Sequence, residues 1–393
     1  MPLFTRHKIF WGSLLLFIFS NVLLYAWMQS FHSLIPFSLL EYQRNASHYQ
    51  QDPRVTGGSF SLLTALGQYD SQWYLKIADQ GYPRNPKKEN ILDTQTMGAL
   101  SYNFFPLLPL IIAGVSCFIQ DVVLSAFIVS NSLLLAIFVS LYYVLTRWFS
   151  RSVALKTIFL LSLFPFSIFL RGYYAEGLRL LLFIWFCFGL QERRFLLASI
   201  CVGLLSITSG ITLFLVPYFL LILVVFLKDK KIPMRSFFLL STLALIPFAL
   251  WMLFCFMQTG NPLYFVETRY AWYRPEFPLF HNLLLLFQLP FLPPRGFYGS
   301  QIDVLMIWLV LLGIWRSRNV LPSFVWLSTS VLAITPLFLQ DSIAFARFTP
   351  VLFPLFVYLA LSLRNRYYFP LLMGSIIGLY GLSLLFVNWY WIE

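Results

Sequence analysis

Residues 122–145 read VVLSAFIVSNSLLLAIFVSLYYVL, 24 positions without a charged side chain. A transmembrane helix needs about 20 predominantly apolar residues, so this run predicts a membrane span. Similar apolar runs recur along the chain, from residues 9–28 to a last one that ends near Asn388. We therefore expect an all-α polytopic membrane protein of about 10–11 transmembrane helices, forming a single integral membrane domain over residues 1–393.

Composition excludes several other classes of protein. Hydrophobic residues make up 59% of the chain and charged residues 11%, which excludes an ordinary soluble domain. The net charge of +12 is spread over loops between apolar runs, so we expect contact with lipid headgroups and no nucleic-acid partner. Four cysteines lie within apolar runs, and no His, Cys and carboxylate spacing suggests a metal or another bound cofactor.

The first long polar segment, residues 29–103, contains the stretch QYDSQWYLKIADQGYP at 68–83. Arg6 and Lys8 precede the first apolar run. The positive-inside rule therefore places the start of the chain in the cytoplasm and residues 29–103 on the outer face.

Within this stretch, Trp73 and Ile77 recur at helical spacing and predict a short amphipathic helix that lies on the bilayer surface. Gly81 and Pro83 are typical of the end of such a helix. Asp70 falls at or near its N-terminus, where the helix dipole favours a carboxylate. The local pattern fits both a simple N-cap and an acid with a chemical role.

Four stretches resemble one enzyme family. YDSQWYLKIADQGY at 69–82 resembles the signature Trp-Asp-x-x-x-[Tyr/Phe]-Leu-x-Ile-Ala-x-x-Gly-Tyr of the second GPI mannosyltransferase (PIG-V) family and its bacterial homologues. NFFPLLP at 103–109, FPFSIFLRGYYAEG at 164–177 and GNPLYF at 260–265 resemble further elements of that family. Tyr69 stands where the family usually has tryptophan, and Thr208 where it usually has an arginine.

The resemblance implies a GT-C-like helical bundle with a catalytic first outer loop. It also implies an inverting transfer of a mannosyl residue from a polyprenyl- or dolichyl-phosphate donor to a glycolipid or other surface glycan. The lipid-phosphate sugar is then a substrate, and no separate cofactor is expected. The expected location is the bacterial cytoplasmic membrane, or the endoplasmic reticulum membrane in a eukaryote, with the active site on the outer or luminal face.

Inverting transfer needs one base to take the proton of the acceptor hydroxyl, and a single carboxylate suffices. Asp70 is the candidate catalytic base because it lies in the strongest family signature. Asp79, nine residues further on, faces the opposite side of the predicted helix and is expected to be solvated. Glu176 and Asp341 are the alternatives for the base.

Further residues are candidates for substrate binding. Arginine binds two phosphate oxygens at once, which suits Arg347 and Arg269 to the donor phosphate, although each could instead anchor its helix at the headgroups. Glu176 and Arg179 are three residues apart and could neutralise each other. Aromatic rings could stack on a sugar or serve as interfacial anchors, and the candidates are Trp73, Tyr264 and Trp272.

Two points stay open in the sequence. A polytopic transporter or lipid flippase without transferase activity has the same gross composition, although its ionisable residues should lie within the spans. The second point is whether residues 104–119 cross the membrane or only dip into it. This decides the side on which Arg147 and Glu176 lie, and the short length of the run favours a dip.

Overall fold

The structure is a computed structural model that describes residues 3–45, 49–84, 99–272, 301–338 and 344–392. Every regular element in these ranges is helical, which confirms the all-α prediction. The α-helices, in chain order, are α1 Leu3–Phe31, α2 Leu39–Asn45, α3 Leu62–Ala65, α4 Asp70–Gln80, α5 Leu107–Ile119, α6 Val122–Trp148, α7 Arg151–Ser162, α8 Glu176–Gln191, α9 Phe195–Leu205, α10 Leu215–Lys228, α11 Met234–Thr259, α12 Tyr264–Trp272, α13 Gln301–Ser317, α14 Ser323–Phe338, α15 Phe345–Phe348, α16 Phe353–Ser362 and α17 Asn365–Val387.

Only some of these helices are long and apolar enough to cross a membrane. The described residues contain four such segments, and a fifth if the bent pair Phe345–Val351 and Phe353–Ser362 is one span. The four segments are Leu14–Leu34, Val122–Trp148, Met234–Thr259 and Asn365–Val387. This number of candidate spans is smaller than the number that the apolar runs predict, which is about ten or eleven.

Breaks inside apolar runs account for part of this difference. The run at 195–227 is interrupted near Thr208, because α9 ends at Leu205 and α10 begins only at Leu215. Each of the two helices is then shorter than a full span. The α5 helix has 13 residues, about 20 Å, against a hydrocarbon core of about 30 Å, which favours a dip into the membrane over a crossing.

Contacts divide the chain into two compact units. The first unit comprises Met1–Gly81, Leu108–Leu181 and Phe356–Ile392, and the second Tyr82–Leu107 and Leu182–Leu355. In the first unit α6 packs against α1 and α7. In the second, α9 packs closely on α11, since a Cβ on Gly203 would lie 2.5 Å from the Leu243 carbonyl oxygen.

A cluster of polar side chains in the first unit ties the segment before α3 to the end of α17. Arg54 donates from Nε and Nη2 to the buried carboxylate of Asp52, at 2.9 and 2.8 Å. It also donates to Asn388 Oδ1 and to the Val387 carbonyl oxygen, both at 2.7 Å. A cation is favourable at this helix C-terminus, where carbonyl groups have no partner inside the helix. We call Asp52, Arg54 and Asn388 the clasp.

Replacing Arg54 with alanine should destabilise the protein strongly. The substitution leaves the Asp52 carboxylate buried without its cation, and breaking a buried ion pair costs about 3–5 kcal/mol. Thermal unfolding in detergent, followed by circular dichroism, measures the loss.

Lys231→Ala is the matched control, because it removes an ion pair with Asp229 whose side chains are 51% and 47% exposed. Exposed pairs contribute about 0–1 kcal/mol, so this variant should unfold close to the wild-type temperature. Equal losses in the two variants would contradict a structural role for the clasp.

Candidate active site

The predicted helix around Asp70 is present. It is α4, Asp70–Gln80, and Asp70 is its first residue. It ends at Gly81, which has φ 73° and donates its N–H to the Ile77 carbonyl oxygen at 2.9 Å. The prediction of the helix and of its end is confirmed.

The prediction that α4 lies exposed on a surface is wrong, because most of the helix is buried in the protein. Residues 71–77 are all buried, Asp70 is half-buried, and exposure begins at the far end with Asp79. The polar Gln72 is buried because its side chain has backbone partners. Its Oε1 accepts from the Tyr49 N–H at 3.3 Å, and its Nε2 donates to the Gln50 carbonyl oxygen at 3.0 Å. Helical periodicity cannot detect such partners, since they come from a distant segment.

Asp79 has an ordinary structural partner. It is exposed, and the Tyr49 hydroxyl donates to its carboxylate. Burial raises the pKa of Tyr49, and the nearby charge of Asp79 raises it further. Tyr49 therefore stays protonated at neutral pH and remains a donor to Asp79. Asp70 and Asp79 thus lie in different surroundings at opposite ends of α4.

The residue before Asp70 has an unusual backbone conformation. Tyr69 has φ 51° and ψ −123°, and the Ser71 N–H donates to the Gln68 carbonyl oxygen at 3.1 Å. These features define a type II′ turn, whose second position is normally glycine. A residue with a side chain in such a conformation costs about 1–3 kcal/mol, and such residues cluster at functional sites. The strain lies immediately next to the candidate base.

Aromatic packing holds Tyr69 in place. Its ring centroid lies 5.0 Å from that of Trp389 and 5.0 Å from that of Trp391, both in the segment after α17. The neighbouring Gln68 donates from Nε2 to the Val387 carbonyl oxygen at 3.2 Å. The end of α17, which the clasp also contacts, thus holds the turn that leads into α4.

The segment just before the first family-like stretch contacts the third stretch in the first unit. The Tyr174 hydroxyl donates to the Gln68 carbonyl oxygen at 2.8 Å, and the Tyr173 N–H to that of Leu66 at 3.3 Å. The segment before Asp70 therefore packs directly on the segment before Glu176. This juxtaposition links two stretches that are about a hundred residues apart in the sequence.

Glu176 and Arg179 form the predicted ion pair. Arg179 Nη2 lies 2.8 Å from Glu176 Oε1, and the side chains are 5% and 1% exposed. Glu176 begins α8, and this ion pair gives its buried carboxylate a partner.

The aromatic candidates with described side chains are packed inside the protein. Trp73 is 3% and Tyr264 5% exposed, so neither is an interfacial anchor or a ready platform for a sugar. Trp73 has Lys76 Nζ 5.9 Å from its ring centroid. In the second unit, Tyr264 packs edge-to-face on Tyr102 at 5.1 Å and belongs to an aromatic cluster with Trp251.

Arg347 lies in the second unit, in the short helix α15, and is 9% exposed. The backbone around it is held by Asp303, a buried carboxylate in the first turn of α13. Asp303 accepts the N–H of Ala344 at 3.2 Å and that of Ala346 at 2.8 Å. Ala344 has φ 64°, a left-handed conformation that favours glycine.

Asp303 is not among the site residues that we predicted from the sequence. Its signal was a single carboxylate at the start of an apolar run, where a charge is expensive unless it has partners. Those partners, the backbone groups at 344–346, lie about forty residues away and cannot be recognised from the sequence.

The remaining candidates are placed only in part. Arg269 and Trp272 lie in α12, but their side chains are outside the described ones. Asp341 is outside the described residues. Thr208, at the position where an arginine would stand, is buried and donates its hydroxyl to the Leu205 carbonyl oxygen at 2.7 Å.

Among the described residues, no group of three His, Cys, Asp or Glu side chains could hold a metal ion.

No protein-family model matches this chain, and no curated protein matches it either. The resemblance to the PIG-V family therefore stays a prediction that depends on the four quoted stretches.

Proposed function

We propose that this chain is an inverting GT-C glycosyltransferase. It transfers a mannosyl residue from a polyprenyl- or dolichyl-phosphate donor to a glycolipid or another surface glycan, at the outer or luminal face of the membrane. The observation that supports this most is the surroundings of Asp70. A half-buried carboxylate directly follows a strained residue, at the start of a helix that is otherwise buried over its next seven positions. Mannose itself rests on the family resemblance.

In the proposed reaction, Asp70 takes the proton of the acceptor hydroxyl. The acceptor oxygen then forms a bond to the anomeric carbon, and the bond from that carbon to the phosphate oxygen breaks with its electron pair. Attack from the face opposite the phosphate inverts the anomeric configuration, so no second carboxylate is needed as a nucleophile.

The leaving phosphate needs a cation with hydrogen-bond donors, and Arg347 is the proposed residue. Its fork of N–H groups can bind two phosphate oxygens. Its backbone is fixed through Asp303, which supports a binding role over that of a flexible membrane anchor. Arg269 and Trp272 remain proposed contacts to the substrate on the strength of the sequence alone.

A transporter or lipid flippase is the second candidate, and one observation favours it. Arg171 is fully buried, and its Nε donates to Asn21 Oδ1 at 2.8 Å within the membrane-span candidate Leu14–Leu34. Arg171 itself lies between α7 and α8, outside the candidate spans, and the link to transport is that buried ionisable residues bonded to spans often belong to transport pathways. Transport would not require a base at Asp70, so the substitution below separates the two functions.

Asp70→Asn should nearly abolish transfer. Asparagine preserves the size of the side chain and can cap the helix as well as aspartate can, but it cannot accept a proton at neutral pH. Losing general-base catalysis should lower kcat by about 10²–10⁴ while expression and donor binding persist. Radiolabelled transfer in purified membranes measures the loss.

Asp79→Asn is the control for this substitution, since it changes the other acid of the same helix. It should leave kcat within about twofold of the wild type, because Asp79 is exposed and bonded to Tyr49. Near-normal turnover by Asp70→Asn would mean that Asp70 only caps the helix and is not the catalytic base.

Arg347→Ala should impair use of the donor. A charge-assisted contact to phosphate contributes roughly 1.5–3 kcal/mol, so kcat/KM for the donor should fall about ten- to a hundredfold. Arg347→Lys keeps the charge but loses the two-pronged contact, and it should fall between the wild type and alanine.

Arg316→Ala provides the comparison, because Arg316 is exposed and its guanidinium lies 4.9 Å from the Trp315 ring centroid. Equal losses at positions 347 and 316 would show that Arg347 only anchors its helix.

A further inference from the structure

We propose that Tyr174 is a positioning residue that fixes the direction of the Asp70 carboxylate by holding the Gln68 carbonyl group. The inference rests on the proposed function and adds to it a residue that does not itself touch substrate. It follows from one hydrogen bond and from the turn in which its acceptor lies.

The Gln68 carbonyl oxygen accepts two hydrogen bonds, one from each side. The Ser71 N–H donates at 3.1 Å and closes the turn, and the Tyr174 hydroxyl donates at 2.8 Å. A carbonyl oxygen has two lone pairs, so both are used. The bond from Tyr174 comes from outside the turn, and it fixes the direction of the Gln68 carbonyl group against the rest of the first unit.

This bond opposes the relaxation of Tyr69. A left-handed φ of 51° relaxes most easily if the peptide between Gln68 and Tyr69 rotates, which turns the Gln68 carbonyl away from its present direction. Such a rotation would break the bond to Tyr174 and move the acceptor away from a buried hydroxyl, which is unfavourable. Asp70 is the next residue, so its carboxylate would move with the turn.

Tyr174 is rigid enough for this role. Its ring is buried and packs edge-to-face on Phe169, with centroids 5.0 Å apart. Just upstream, Arg171 donates from Nε to Asn21 Oδ1 at 2.8 Å and from Nη1 to the Ser167 carbonyl oxygen at 3.1 Å. The hydroxyl is thus presented by a segment that is tied to α1.

The close approach of this ring also explains why residue 172 is a glycine. A Cβ on Gly172 would lie 2.9 Å from Tyr174 Cδ2 and 3.2 Å from the Leu66 carbonyl oxygen. A larger residue at this position would push the ring away from the turn. The glycine therefore permits the contact between the third family-like stretch and the segment that leads into the first.

The chain contains a matched control for the hydroxyl of Tyr174. Tyr173 is also buried, and its hydroxyl also donates to a backbone carbonyl oxygen, that of Leu63, at 2.8 Å. Leu63 lies in α3, whereas Gln68 is part of the turn that contains Tyr69. The two tyrosines thus make the same kind of bond to the same segment, and only one of them acts on the turn.

The experiment compares Tyr174→Phe with Tyr173→Phe in purified membranes. Both variants keep their rings and lose one hydroxyl bond to a backbone carbonyl, so both should unfold at similar temperatures. Small errors in the placement of a catalytic group lower rates by up to about a hundredfold. Tyr174→Phe should therefore lower kcat about tenfold or more with the donor KM unchanged, and Tyr173→Phe should stay within about twofold.

A double substitution separates positioning from general damage. If Tyr174 acts through Asp70, adding Tyr174→Phe to Asp70→Asn should lower kcat no further, because groups that act as a unit are not additive. Equal kcat losses in the two single phenylalanine variants, or a full further loss in the double variant, would overturn the positioning role. A wild-type chain without transfer, or a fully active Asp70→Asn, would instead overturn the proposed function, and the positioning role with it.

Discussion

A tyrosine with φ 51° needs surroundings that oppose its relaxation, and in this protein two distant parts of the chain supply them. Two tryptophans after α17 pack on the Tyr69 ring, and the Val387 carbonyl at the end of α17 accepts from Gln68. The segment before α8 supplies the hydroxyl of Tyr174. The start of α4, and with it Asp70, is therefore placed by tertiary contacts more than by local preference.

Buried polar side chains serve the same purpose elsewhere in the chain. Gln72 binds the backbone at 49–50, Asp303 the backbone at 344–346, and Arg54 the end of α17. Each of them supplies partners to backbone groups in an irregular segment, which would be costly to bury without hydrogen bonds. In a chain with so few charged residues, these side chains set the shape of the loops that connect the apolar helices.

Local signals predicted part of this structure. The bounds of α4 follow from the spacing of Trp73 and Ile77 and from Gly81, and the Glu176–Arg179 pair follows from a three-residue spacing. Burial of α4 was mispredicted because its polar residues find partners in a distant segment. Hydropathy does not show where an apolar run breaks, which accounts for part of the difference between the predicted number of spans and the four or five candidates among the described residues. The family, the single domain and the sidedness of the loops stay predictions.

The most direct test asks whether the chain consumes a lipid-linked sugar at all. Membranes containing the chain, and matched membranes without it, are incubated with a panel of polyprenyl- and dolichyl-phosphate sugars and with membrane glycolipids as acceptors. The account predicts that the mannose-linked donor is consumed only when the chain is present, and that the new glycosidic bond has the inverted anomeric configuration. Movement of a lipid across the bilayer without any new glycosidic bond, or a product with retained configuration, would contradict it.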